Sequence, residues 1–89
     1  MTTGTKISSK NNYATGFSGF TAVTPSDTNE IAQYSKWLWV GTPGTGTLKV
    51  TTVDGVVIAF VGITLGWHPI AAKLVWSTGT NASNIIAAW

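Results

Sequence analysis

The stretch TLKVTTVDGVVIAFVG, residues 47–62, narrows the fold more than any other part of the chain. Two runs of β-branched and aromatic residues flank Asp54-Gly55, and an Asp-Gly pair between such runs is a strong local signal for an antiparallel hairpin. A two-residue loop pairs Val53 with Val56, Thr52 with Val57 and Val50 with Ala59. Side-chain alternation then puts Leu48, Val50, Thr52, Val57, Ala59 and Val61 on one face, which reads as core. The other face carries Lys49, Thr51, Val53, Val56, Ile58 and Phe60, too apolar to be left in water.

The rest of the chain is written in the same alphabet. Strands are expected at 19–24, 36–40, 69–77 and 84–89, separated by turn-rich segments such as TGTNAS at 78–83. In KWLWV, Trp37 and Trp39 point one way and Leu38 and Val40 the other. In IAAKLVW, Ile70, Ala72, Leu74 and Trp76 oppose Ala71, Lys73 and Val75. Asp27 stands three residues before Glu30, the spacing of a capping box, so SDTNEIAQYS reads as one or two helical turns or as a polar loop. The expected class is all-β: a small antiparallel β-sandwich, jelly-roll-like or barrel. Residues 1–18, rich in Thr, Ser, Gly and Asn, read as a flexible N-terminal arm, and residues 19–89 as a single β domain.

Composition says what such a domain needs. In a chain of 89 residues, folding buries only about 63% of the unfolded surface, and no cysteine is present to staple a thin core. Yet 44% of residues are hydrophobic and only 9% charged, against about 25% in ordinary soluble domains. Both faces of the expected strands want cover, which points to a subunit covered by neighbours. The net charge of +2 comes from five Lys and no Arg, without clustering, which speaks against nucleic acid as a partner. Lys49 beside Phe60 is the one hint of a single-strand binder. The longest apolar stretch, Val56 to Trp67, is too short and too interrupted to span a bilayer, and the N-terminus lacks the apolar core of a leader. The expectation is a soluble chain with no membrane partner and no export signal.

Candidate chemistry is thin. GTPGTGT at 41–47 resembles a phosphate loop, but Thr47 stands where the lysine must follow the last glycine, and the next segment is strand-like rather than helical. It reads as a turn. One His, no Cys and three scattered acids give no metal set, and neither a carboxylate pair nor any of seven serines with His68 makes a marked catalytic group. No enzyme, cofactor or metal is expected. Asn81-Ala82-Ser83 matches a glycosylation pattern but reads as turn residues. What stands out is tryptophan, of which there are five. Trp37, Trp39, Phe60, Trp67 and Trp89 are the candidate interface residues, since large aromatics dominate interface energetics. The alternative is a small carbohydrate-binding β module with Trp37 and Trp39 as its platform.

Four segments in order resemble the small head spike-base proteins of tailed phages and gene transfer agents. They are TPSD at Thr24–Asp27, the apolar strand ending in VG with its Gly-rich turn at Leu38–Gly46, the hairpin Val50–Gly55 with Val56–Val61, and TGT at Thr78–Thr80 with the end at Ile85–Trp89. Lys36 and Lys73 stand where members tend to carry Arg. The resemblance covers roughly residues 23–89 and implies a structural virion protein, a capsid decoration or cement protein or a vertex spike base. On that resemblance the partners are the major capsid protein, a head fibre protein and the chain itself as a homo-oligomer (trimer or pentamer). The implied location is the capsid exterior, after synthesis in the host cytoplasm.

Overall fold

The computed structural model describes residues 18–89, so the arm expected over residues 1–18 lies, apart from Ser18, outside the described part. The hairpin forms from β3 (Thr47–Thr52) and β4 (Val57–Val61), with one correction. The Gly55 N–H donates to Thr52 O at 2.8 Å and the Thr52 N–H to Val56 O at 2.8 Å, with Gly55 in the left-handed region at φ 91. The loop is therefore three residues, a β-turn followed by a left-handed glycine, not a two-residue turn. The Thr52 hydroxyl secures it by accepting the Val56 N–H at 3.1 Å. Register becomes Thr51↔Val57, Val50↔Ile58 and Leu48↔Phe60. A one-residue slip turns every side chain of the return strand over. Ile58 and Phe60 thus share the face of Leu48 and Val50, whereas Val57 and Ala59 join Lys49 and Thr51 outside.

The remaining strands are β1 (Phe20–Val23), β2 (Trp37–Thr42), β5 (Gly66–His68), β6 (Ala72–Val75) and β7 (Ser83–Ala88). Two antiparallel sheets result, one ordered β1-β7-β2-β5 and the other β4-β3-β6. They face each other as a sandwich and do not close into a barrel. Between them lies a core of Val23, Leu38, Val40, Leu48, Val50, Ile70, Ala72, Val75, Ala82, Ile85 and Ala87, with Ile31, Phe60 and Ile63 packed against it. The β3–β4 hairpin keeps both strands in one sheet. Every other strand-to-strand connection carries the chain from one sheet to the other or, between β1 and β2, out along the second sheet and back.

That last link replaces the helix considered for SDTNEIAQYS. No helix forms there: the Ser26 hydroxyl accepts the Thr28 and Asn29 N–H groups, and the chain then runs along the outer side of β6. Ser26, Ile31 and Ser35 donate their backbone N–H groups to Val75, Lys73 and Ala72 at 2.9–3.0 Å. A polar segment that satisfies an edge in this way needs no helical hydrogen bonds of its own. Ser35 is buried, and its hydroxyl donates to Ile70 O at 2.8 Å and accepts the Ala72 N–H at 3.0 Å.

Strict alternation also fails in β6. Thr51 pairs with Leu74 but Thr52 with Ala72, so Lys73 is an extra residue in a bulge. Ala72 and Val75 consequently both face the core, and Val75 lies opposite the side expected for it. Trp76 sits outside, its indole N–H donating to the Thr51 hydroxyl at 3.0 Å, with the Lys49 ammonium 4.3 Å above its ring. Lys49 therefore lies over Trp76, not beside Phe60.

Candidate assembly interface

The expected split of KWLWV holds: Leu38 and Val40 are fully buried, whereas Trp37 and Trp39 stand on the outer face of the first sheet. Pairing then decides what surrounds them. Trp39 lies opposite Trp67 on β5 and Ile86 on β7, and Trp37 lies opposite Ala88, which in turn pairs with Phe20 of β1. The Trp39 and Trp67 rings meet edge to face, centroids 5.4 Å apart at 61°. Phe20 reaches across from the far edge strand to 6.0 Å from Trp67. These are the offset geometries in which ring edges meet ring faces favourably. The small Ala88 in the row between is fully buried. The four aromatics form one continuous patch over the sheet, with Phe20 57% exposed and Trp67 40%.

The five expected interface residues do not all share this patch. Trp37, Trp39 and Trp67 do. Phe60 is half-buried on the inner side of the second sheet, against the core. Trp89 follows β7, its ring packed on Gly19 so closely that a methyl group there would lie 2.7 Å from Cζ2. The reading from sequence missed Phe20, although its alternation with the buried Val23 already placed it outside. It also missed β5, which is only three residues long and exists by pairing with β2.

The second apolar exposure is β4 with its flanks. Val53, Val56, Val57, Ile58, Val61 and Leu65 are all exposed, Val61 the most at 83%. Behind the hairpin tip an open apolar cleft of about 550 Å³ is lined by residues that include Val53, Val56, Phe60, Ile63, Pro69 and Ile70. His68 lies at this cleft, half-buried, with Nε2 2.7 Å from Thr64 O, consistent with a packed rim residue.

Charged groups do local work. The Asp27 carboxylate lies below the usual range, held there first by the Thr78 hydroxyl, then by the Thr78 amide, against a smaller opposing effect of desolvation. The Tyr34 hydroxyl donates to Glu30 at 2.6 Å, which raises its pKa. Among the described residues no three His, Cys, Asp or Glu side chains gather. GTPGTGT runs from the end of β2 to the start of β3 through a turn over residues 43–46, closed by the Gly46 N–H donating to Pro43 O at 2.9 Å. Gly46 O in turn accepts the Gly62 and Ile63 N–H groups. The loop leads into a strand, so no helix N-terminus is aimed at an anion.

No family profile matches the sequence, and no curated protein does. Among solved structures, the chain is similar to one from a gene transfer agent particle, described as "Capsid of native GTA particle computed with C5 symmetry". The identity is 21%, the TM-score 0.77, and the match covers 98% of this chain and 100% of the other. At that identity the likeness shows a shared fold.

Proposed function

We propose that this chain is a structural component of a phage-like capsid particle, carried on its outer surface, where it self-associates and binds the major capsid protein. The observation that carries the reading is the end-to-end fold match to a chain of a GTA capsid, with neither chain leaving a large unmatched part. The charge-poor composition and the apolar exposure of β4 and its flanks support it, because that surface needs a neighbour in water. The aromatic patch of Phe20, Trp37, Trp39 and Trp67 is the surface we assign to the capsid partner. Its role is mechanical: apolar burial ties shell proteins together, as a decoration or cement protein or as a spike base that anchors a fibre.

The alternative is a sugar platform of Trp37 and Trp39, whose indoles share the outer face of β2; a tryptophan fluorescence titration with sugars separates it from the capsid reading.

The test is quantitative mass spectrometry of gradient-purified particles, with copy number taken relative to the major shell protein. Presence near parity supports a lattice-wide cement, and much lower abundance supports special positions such as vertices. Absence from particles overturns the reading.

A further inference from the structure

The second sheet has two edges, and among the described residues only one is protected. The β6 edge is covered by the segment that donates from Ser26, Ile31 and Ser35. The β4 edge is five residues long, free of Pro and charge, and carries no bulge in its pairing with β3. Native sheets normally blunt such an edge, because its unpaired amides and carbonyls are a template for another strand. The edges of the first sheet are shorter, four residues in β1 and three in β5.

Hydrogen bonds at both ends of the hairpin fix which β4 groups point outward. Thr52 bonds to Val56 at the tip, and Gly62 bonds to Gly46 at the base. Antiparallel alternation between these points directs the backbone groups of Ile58 and Phe60 to β3, and those of Val57, Ala59 and Val61 away from the sheet.

We propose that β4 is a self-association edge, whose occupant is β4 of a second copy of this chain, paired antiparallel about a two-fold axis at Ala59. Val57 then faces the partner's outward groups at position 61, Ala59 faces its own counterpart, and about six backbone hydrogen bonds close between the copies. The match is self-complementary, as an isologous contact requires. No charge lies between Val56 and Gly62, and the nearest, Asp54, falls opposite a threonine position rather than a like charge. The exposed apolar surface of Val53, Val56, Val57, Ile58, Val61 and Leu65 is on the order of 500 Å², within the range that marks interaction sites. That is a large share of the roughly 800 Å² per partner in a standard interface. The proposal rests on the self-association part of the reading above and not on its capsid part.

The purified full chain, without particles, tests it by sedimentation velocity across a concentration series. Ala59→Pro removes only an outward N–H, so the intrachain ladder survives while the edge is blocked. It should raise the half-association concentration about tenfold or more. Val61→Lys, an edge charge, should act alike without touching the backbone. Because the chain has no cysteine, Ala59→Cys adds a decisive readout. Hydrogen-bonded antiparallel partners sit about 5.5 Å apart at Cα, within disulfide range, so mild oxidation should give a covalent dimer. A wild-type chain that stays monomeric overturns the proposal. So does undiminished association of Val61→Lys with no covalent dimer from Ala59→Cys, even where Ala59→Pro fails to fold. Failure here leaves the particle measurement intact, and absence from particles leaves this pairing intact.

Discussion

Asp27 holds Thr78 by both carboxylate oxygens: Oδ1 accepts the Thr78 backbone N–H at 2.8 Å, and Oδ2 accepts its hydroxyl at 2.6 Å. Oδ1 also takes the Ser77 N–H at 3.0 Å. The residue that resembles a helix cap in the sequence is thus a clamp between the β1–β2 link and the β6–β7 turn. It satisfies two amides of a turn that has no ladder partner of its own.

The clamp makes stability depend on pH with a definite sign. The folded-state pKa of Asp27 is depressed, chiefly by the Thr78 hydroxyl, so the ionised form is favoured in the native state. That contribution is fully present above the unfolded carboxylate value and is lost as pH falls through the lower folded one. Asp27→Asn should lower the melting temperature at neutral pH, and the two melting curves should converge in acid. A constant gap between variant and wild type down to the most acidic pH would show that the charge plays no part.

Two glycines in turns separate backbone strain from steric conflict. Both have positive φ, but a methyl group at Gly55 meets nothing within 4 Å, whereas at Gly44 it would lie 2.6 Å from the backbone oxygen of Asn81. Gly55→Ala should cost about 1 kcal/mol. Gly44→Ala should cost about 2–4 kcal/mol, because the β6–β7 turn must move as well. Urea unfolding of both variants checks the order.

The hairpin register can be tested by core truncation. Leu48 is fully buried and faces Phe60, whereas Val61 is among the most exposed side chains described. Leu48→Ala should destabilise by about 2–5 kcal/mol. Val61→Ala should stay within about 0.5 kcal/mol in the isolated subunit. A large cost at Val61, measured at concentrations where the chain is monomeric, would contradict the register.

On particles, Trp39→Ala should reduce bound copies far more than Lys36→Ala. Trp39 holds the centre of the aromatic patch, 5.4 Å from Trp67, and the loss of a central aromatic anchor commonly costs about 2 kcal/mol or more. That corresponds to roughly thirtyfold in affinity. Copy number per shell protein reads the effect, with tryptophan fluorescence and near-ultraviolet dichroism establishing that the variant is folded. Equal occupancy of the two variants would remove the patch from the contact.

Local chemistry determined the class of this protein. β-Branched runs, turn dipeptides and alternation specified an all-β chain, the hairpin around Asp54-Gly55, and the placement of Trp37 and Trp39 on one face with Leu38 and Val40 on the other, because each depends on residues a few positions apart. The scarcity of charge announced surfaces in need of cover. Tertiary structure decided the rest. The left-handed Gly55 lengthened the loop by one residue and turned β4 over, and the Lys73 bulge moved Val75 into the core. Asp27 found its partners fifty residues away, and β5 formed only because β2 was there to pair with it. The physical reason is the topology. Apart from one hairpin, the strands that pair are far apart in the sequence, so register and face are settled by packing between sheets rather than by any neighbour along the chain.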